Sequence, residues 1–312
     1  MKRLLFIAVL LQLLGCSLFA QPSNDRWWEV LHNWDGVTPW QNYMQLSAKY
    51  MGPNGMPVPE INNGTISKFS YLELGVANHN GIGDHTENGF FNVMLRAGNR
   101  AAMNVYLVPY EEYLMDTITS RHTRNTRDYD GGGHSVGDVY ITAYYQILKE
   151  KKIRPDVLLT FSIKTASGNN LEGARFTDAP GYSFGVSAGK TIKIDTAFFR
   201  SIRPYVLIGA YEWQTYQVQN KQDNGVWYGG GISLDMRYFI LDDNISGYSG
   251  YFNNGDKPCV NKLSLTTTFN TFVNLRVLYQ QGIRDYDYKS IMLSGIMNLN
   301  RIKASLQKPP HT

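Results

Sequence analysis

The strongest constraint on this chain is a two-residue zigzag of apolar and polar side chains that returns from segment to segment. From Val139 the odd positions run Val139, Ile141, Ala143, Tyr145 and Ile147, opposite Tyr140, Thr142, Tyr144 and Gln146. Val157, Leu159, Phe161 and Ile163 stand against Thr160, Ser162 and Lys164. Farther on, Ile232, Leu234, Met236, Tyr238 and Ile240 stand against Ser233, Asp235 and Arg237. Side chains alternate across a strand, so each segment carries one oily face and one polar face.

What covers the oily face is indicated by the start of the chain. Lys2 and Arg3 precede an apolar run from Leu4 to Leu14, and Leu18-Phe19-Ala20 precedes Gln21. The run is too short for a spanning helix and reads as an export signal. Leu13-Leu14-Gly15-Cys16 also has the form of a lipobox, so lipidation at Cys16 competes with cleavage after Ala20. Export joined to alternating strands predicts an all-β fold, a transmembrane antiparallel up-and-down barrel with lipid outside and polar groups inside. The expected organisation is a signal peptide over 1–20, the barrel over 21–300 and a polar C-terminal tail over 301–312. A secreted sandwich also alternates, but its polar face would meet water, whereas here the oily face is nearly continuous.

Composition narrows the function. Without Lys2 and Arg3 the formal charge falls from +4 to about +2, which gives no footprint for nucleic acid. Cys259 is the one cysteine besides Cys16, so neither a disulfide framework nor a cysteine metal site is available. No cofactor motif is found. The 21 tyrosines suit aromatic girdles at two membrane interfaces.

The zigzag predicts strands near 43–50, 66–78, 89–98, 101–112, 137–149, 155–167, 181–194, 202–217, 226–241, 262–281 and 288–300. From Leu263 to Tyr279 one parity persists, which reads as a single long strand. Eleven strands conflict with the even number of single-chain barrels. A twelfth is sought around Trp27 to His32 or within 244–254. Long outer loops are expected at 80–88, 113–136, 168–180, 218–225 and 282–287. The 51–65 and 242–261 segments fall on the inner, periplasmic side of this scheme.

On this register the lumen receives Lys49, Glu73, Arg96, Asp138, Lys164, Glu212, Asp235, Arg237 and Arg276. Both signs are present, so the set reads as a paired charge network, a solute-selecting constriction, or both. Asp235 and Arg237, two apart on one strand, are the expected centre. Catalytic patterns fail. Gly185 to Thr191 is one residue short of a phosphate loop and has no helix after it. His134-Ser135 follows Gly131 to Gly133 and reads as loop, and His79 with His85 matches no metal spacing.

Gly137-Asp138-Val139 opens one strand, Lys164-Thr165-Ala166-Ser167-Gly168 ends the next, and Thr177-Asp178-Ala179-Pro180-Gly181 opens a third. Over 137–195 this resembles the MetA-pathway-of-phenol-degradation family of outer-membrane transporters. The resemblance implies passive uptake of hydrophobic or aromatic compounds. The expected protein is therefore a non-enzymatic outer-membrane pore or binding channel for a small solute, in contact with outer-membrane lipid. A closed barrel anchoring an envelope assembly through 113–136 and 242–261 is the alternative, and a lipid-modifying enzyme comes third.

Overall fold

A computed structural model describes residues 25–215, 221–268 and 272–306. The expected signal peptide and the last six residues of the expected tail lie outside them. The described residues from Asp25 to Thr38 belong to a compact unit of their own. Within it Arg26–Leu31 is a helix, α1, and not the strand sought at Trp27 to His32. Asp35 caps the following turn, accepting from the amides of Val37 and Thr38 at 2.9 and 2.7 Å.

From Pro39 onward the chain builds a closed barrel of twelve antiparallel wall strands. They are β1 (Tyr71–Gly81), β2 (Asp84–Ala97), β3 (Ala101–Met115), β4 (Tyr140–Leu148), β5 (Asp156–Lys164) and β6 (Gly181–Gly189). The circuit continues with β7 (Phe199–Gln214), β8 (Gln222–Met236), β9 (Phe239–Ser249), β10 (Cys259–Thr267), β11 (Val273–Arg284) and β12 (Lys289–Asn298). β1 closes the circle on β12, from Tyr71 opposite Asn298 to Asn80 opposite Lys289. Closure leaves no edge strand, as hydrocarbon requires of backbone donors and acceptors. A second helix, α2 (Leu299–Leu306), follows β12, and the Leu299 amide bonds the Ser70 carbonyl at 3.0 Å.

The outer face carries Val76, Phe184, Val206, Ile208, Leu275 and Ile291, each between 46% and 67% exposed. So large and continuous an apolar surface does not stay in water. Lipid covers it.

The register corrects several sequence expectations. The segment 226–241 is part of a hairpin that reverses at Arg237 and Tyr238, giving β8 and β9. The segment 262–281 is also a hairpin, β10 with β11, not one long strand. Here Leu265 faces Val277 and Thr266 faces Arg276. Odd residues pair with odd, so both arms keep one parity and the alternation runs through the turn unchanged. The 43–50 segment forms no wall strand; losing it and splitting two others gives twelve. The 80–88 segment is the β1–β2 hairpin, turning at Ile82 and Gly83, where Gly83 takes φ +65°. The 242–261 segment contains the β9–β10 connection and lies at the end of the barrel bearing the long loops, the outer end by the usual rule.

Residues Pro39 to Ser70 run down the lumen. The segment enters among the outer loops, where Asn125 Nδ2 donates to the Tyr43 carbonyl at 2.8 Å and Ser47 Oγ to that of Asn254 at 2.9 Å. It leaves at the short-turn end, where Gln146 Nε2 donates to the Gly64 carbonyl at 2.8 Å. Met44, Leu46, Met51, Met56 and Val58 are buried against Tyr211, Trp213, Tyr248, Tyr286 and Tyr288 of the wall and loops. Pro53, Pro57 and Pro59 keep this stretch from joining a ladder. The expected periplasmic segment 51–65 is thus an internal plug.

Candidate functional site in the barrel lumen

The lumen is arranged in three layers along the plug. At the outer end Asp84, first residue of β2, accepts from Arg124 Nη1, Arg175 Nη1 and Tyr288 Oη at 2.7, 2.8 and 2.6 Å. Arg175 Nε also donates to Glu111 Oε1 at 2.7 Å, and its guanidinium lies 4.6 Å from the Tyr113 ring centre. Burial alone would lower the Arg175 pKa, but the Glu111 and Asp84 carboxylates hold it above the ordinary value. Burial likewise holds the Tyr288 phenol high, so it remains a donor. Three loops meet here, and Asn54 of the plug joins them through Glu111 Oε2 at 2.7 Å. A side chain on Gly52 would collide with the Arg175 guanidinium, so the plug backbone must pass directly beneath it.

Glu111 reaches this layer because of a bulge. The inward positions of β3 are even as far as Val108 and odd from Glu111 onward. The register against β2 shifts between Gly89 and Phe91, opposite Pro109. Proline cannot donate to a ladder and sits where the ladder breaks.

In the middle, Glu73 on β1 accepts from Asn92 Nδ2 at 2.9 Å and Ser294 Oγ at 2.6 Å, and pairs with Arg276 Nε at 3.0 Å. Arg276 also reaches Glu60 of the plug at 4.0 Å, and Lys262 Nζ donates to the Val58 carbonyl at 3.2 Å. Farther toward the outer end, Lys164, last residue of β5, pairs with Asp138 at 2.6 Å and donates to Thr177 Oγ1 and the Ala179 carbonyl. Asp138 in turn accepts from the amides of Ser167 and Gly168 at 3.1 and 2.8 Å. Between plug and wall lies a chamber of about 170 Å³. Trp213 and Trp227 pack against Gly181 and Gly185; a Cβ on Gly185 would stand 2.7 Å from the Trp227 ring. Among the described residues, buried polar atoms of its lining without a hydrogen-bond partner include Tyr140 Oη, Thr160 Oγ1, Trp213 Nε1 and Trp227 Nε1.

The inner end is clamped by Arg203. Its Nη2 pairs with Asp156 at 2.9 Å, Nη1 pairs with Glu150 at 3.1 Å and donates to Thr191 at 2.6 Å, and Nε donates to the Asn63 carbonyl of the plug at 2.9 Å. Burial alone would raise the Glu150 carboxyl. Hydrogen bonds from Lys190 and Thr191 outweigh it and hold the pKa below the ordinary glutamate value.

Glu73, Arg276, Asp138 and Lys164 therefore meet in the lumen, in two paired groups. The other expected residues lie elsewhere. Glu212 is a correction: on β7 the odd residues Tyr205, Leu207, Tyr211 and Trp213 are buried inside, so Glu212 points outward, where Tyr182 Oη donates to it at 2.5 Å. Asp235 and Arg237 are not the centre, because β8 ends beside them. Asp235 is 3.9 Å from Arg200 at the inner rim, and Arg237 stacks on Tyr238 in the turn. Arg96 also sits at that rim, donating to the carbonyls of Lys68 and Gly98. Lys49 belongs to the plug rather than to a strand, its amide bonded to the Gly255 carbonyl at 3.2 Å.

Sequence reading missed Asp84, Glu111, Arg124, Arg175 and Arg203. The two loop arginines carried no periodicity that could assign them to the interior. His79 proves to be a wall-to-plug relay, bonded through Nδ1 to Ser290 Oγ at 2.7 Å and through Nε2 to Asn88 Oδ1 at 2.8 Å; Asn54 meets the same oxygen at 3.0 Å. Ser290 is fully buried. Among the described residues no group of three or more His, Cys, Asp or Glu converges.

No family model matches the chain, and no curated protein does either. Among solved structures, the COG4313 outer membrane channel from Pseudomonas putida F1 is similar, with a TM-score of 0.54 and 8% identity over 77% of this chain and 99% of that one. The chain is an outer-membrane β-barrel. That closed, lipid-facing wall places it in the outer membrane of a Gram-negative bacterium. The NanC porin aligns at TM-score 0.48 and 13% identity, over 73% of this chain and 100% of that one. The KdgM porin aligns at 0.45 and 9%, over 72% and 98%. These likenesses are ones of fold, and the expected family over 137–195 has no matching family model.

Proposed function

We propose that the barrel is a passive channel for a small solute, described here with its plug in place. The reading rests on the chamber. Its volume is close to the roughly 150 Å³ of an engineered cavity that takes benzene. Its walls carry two indoles, and Tyr140, Thr160 and Trp227 present donors that have no acceptor among the described residues. Buried donors without acceptors are costly, so an occupant bearing acceptor oxygens is favoured there. The chamber suits a one-ring molecule with a polar edge. Passage requires the plug to move, and no nucleotide site is available to drive it.

The layers at both ends favour a second reading, a closed barrel that serves as an anchor. Planar bilayers separate the two. A channel predicts rare openings for the native protein and at least tenfold more frequent ones for Arg203→Ala, which releases Asn63 and the inner end of the plug. Silence from both proteins, with folded barrels verified by gel mobility before and after boiling, would leave the anchor.

A further inference from the structure

We infer that the outer rim of the barrel holds a divalent-cation site between β8 and the β9–β10 loop, built on Asp223 and Asp256. This inference is independent of whether the lumen conducts. Both side chains are almost wholly buried, at 3% and 1% exposure, and neither forms an ion pair with Lys or Arg among the described residues. Asp223 Oδ2 accepts from Tyr211 Oη at 3.2 Å, and Asp256 Oδ2 accepts from the Phe252 amide at 2.7 Å. The remaining oxygens, Asp223 Oδ1 and Asp256 Oδ1, have no hydrogen-bond partner within bonding geometry among the described residues. Asn254 Oδ1, two residues before Asp256, is also buried without one.

Gly250 shows where the two carboxylates meet. A Cβ added there would stand 2.6 Å from Asp223 Oδ1, 2.8 Å from Tyr211 Oη and closer still to Asp256 Oδ2. Two carboxylates and a phenol thus converge on a bare face of backbone. Two buried like charges facing one another are untenable without a compensating cation or proton. Oxygen-only donors, two of them anionic, at the outer end of the barrel suit a hard divalent ion such as Ca²⁺. Water and main-chain carbonyls would complete its shell. Bound there, the ion would tie the start of β8 to the loop that also holds the plug through Asn254 and Gly255.

The test uses folded, full-length protein in detergent. Tb³⁺ should give luminescence sensitised by Tyr211 and be displaced by Ca²⁺ in the ~10⁻⁴–10⁻³ M range of extracellular sites. Ca²⁺ should also raise the thermal midpoint. Asp223→Asn and Asp256→Asn should each weaken binding at least tenfold. Gly250→Ala, which keeps both carboxylates and blocks their meeting place, should do the same, and its heat-modifiable migration should match the native protein. Absent sensitised emission, or a Ca²⁺ response unchanged in all three variants, would overturn the site. So would a Ca²⁺-independent stability that both Asn variants increase, because the pair would then share a proton.

Discussion

Arg175 shows how much a single loop residue carries here. It is fully buried, bonded to Asp84, Glu111 and Thr86, and it roofs the plug at Gly52. Removing one member of such a network strands its partners' charge, which typically costs about 3–5 kcal/mol. Arg175→Met keeps most of the volume, so a fall of that size in urea-unfolding free energy would report charge and not packing; a loss under 1 kcal/mol would remove Arg175 from its central place. Residues of this kind were the least legible from sequence. Lys164 and Asp138 could be placed because they open or close a clean zigzag. Glu212 could not, because polar character outvoted parity; its aromatic neighbours Tyr211 and Trp213 are the ones that face the plug.

At the level of elements, alternation located the wall but not its turns. It cannot distinguish one long strand from a hairpin whose arms keep the same parity, which is why β10 and β11 read as one. It also cannot reveal an element without periodicity, which is why the proline-bearing plug passed for a surface segment. The clamp on that plug makes a pH-dependent prediction. The native Glu150 carboxyl is harder to protonate than in the unfolded chain, whose ordinary value is 4.5. Its contribution is therefore complete above that value and disappears as the pH falls through the lower native one. Thermal midpoints of native protein and Glu150→Gln should differ at pH 7, and the gap should shrink progressively as the pH falls below 4.5. A constant gap down to pH 3 would mean that the Lys190 and Thr191 contacts do not set the titration.

For the whole molecule, the central physical claim is that lipid meets the outer band. Ile208, mid-strand on β7 and 67% exposed, tests it directly. In a bilayer Ile208→Arg should cost about 2–4 kcal/mol, as charges at the midplane of barrels do. A change near zero would mean that this face is wet. The same wall explains why the chamber needs no cap from outside: both closures come from the chain's own loops, turns and leading segment.

The topology of that leading segment also dictates an order of assembly. Pro39 lies among the outer loops, whereas β1 starts at the opposite rim, so the stretch between them spans the full height of a ring sealed by backbone bonds from β1 to β12. A finished cylinder would have to be threaded afterwards, end to end, past two arginine gates. Biogenesis is simpler if the inner strand is laid against an open sheet and the seam zips around it last.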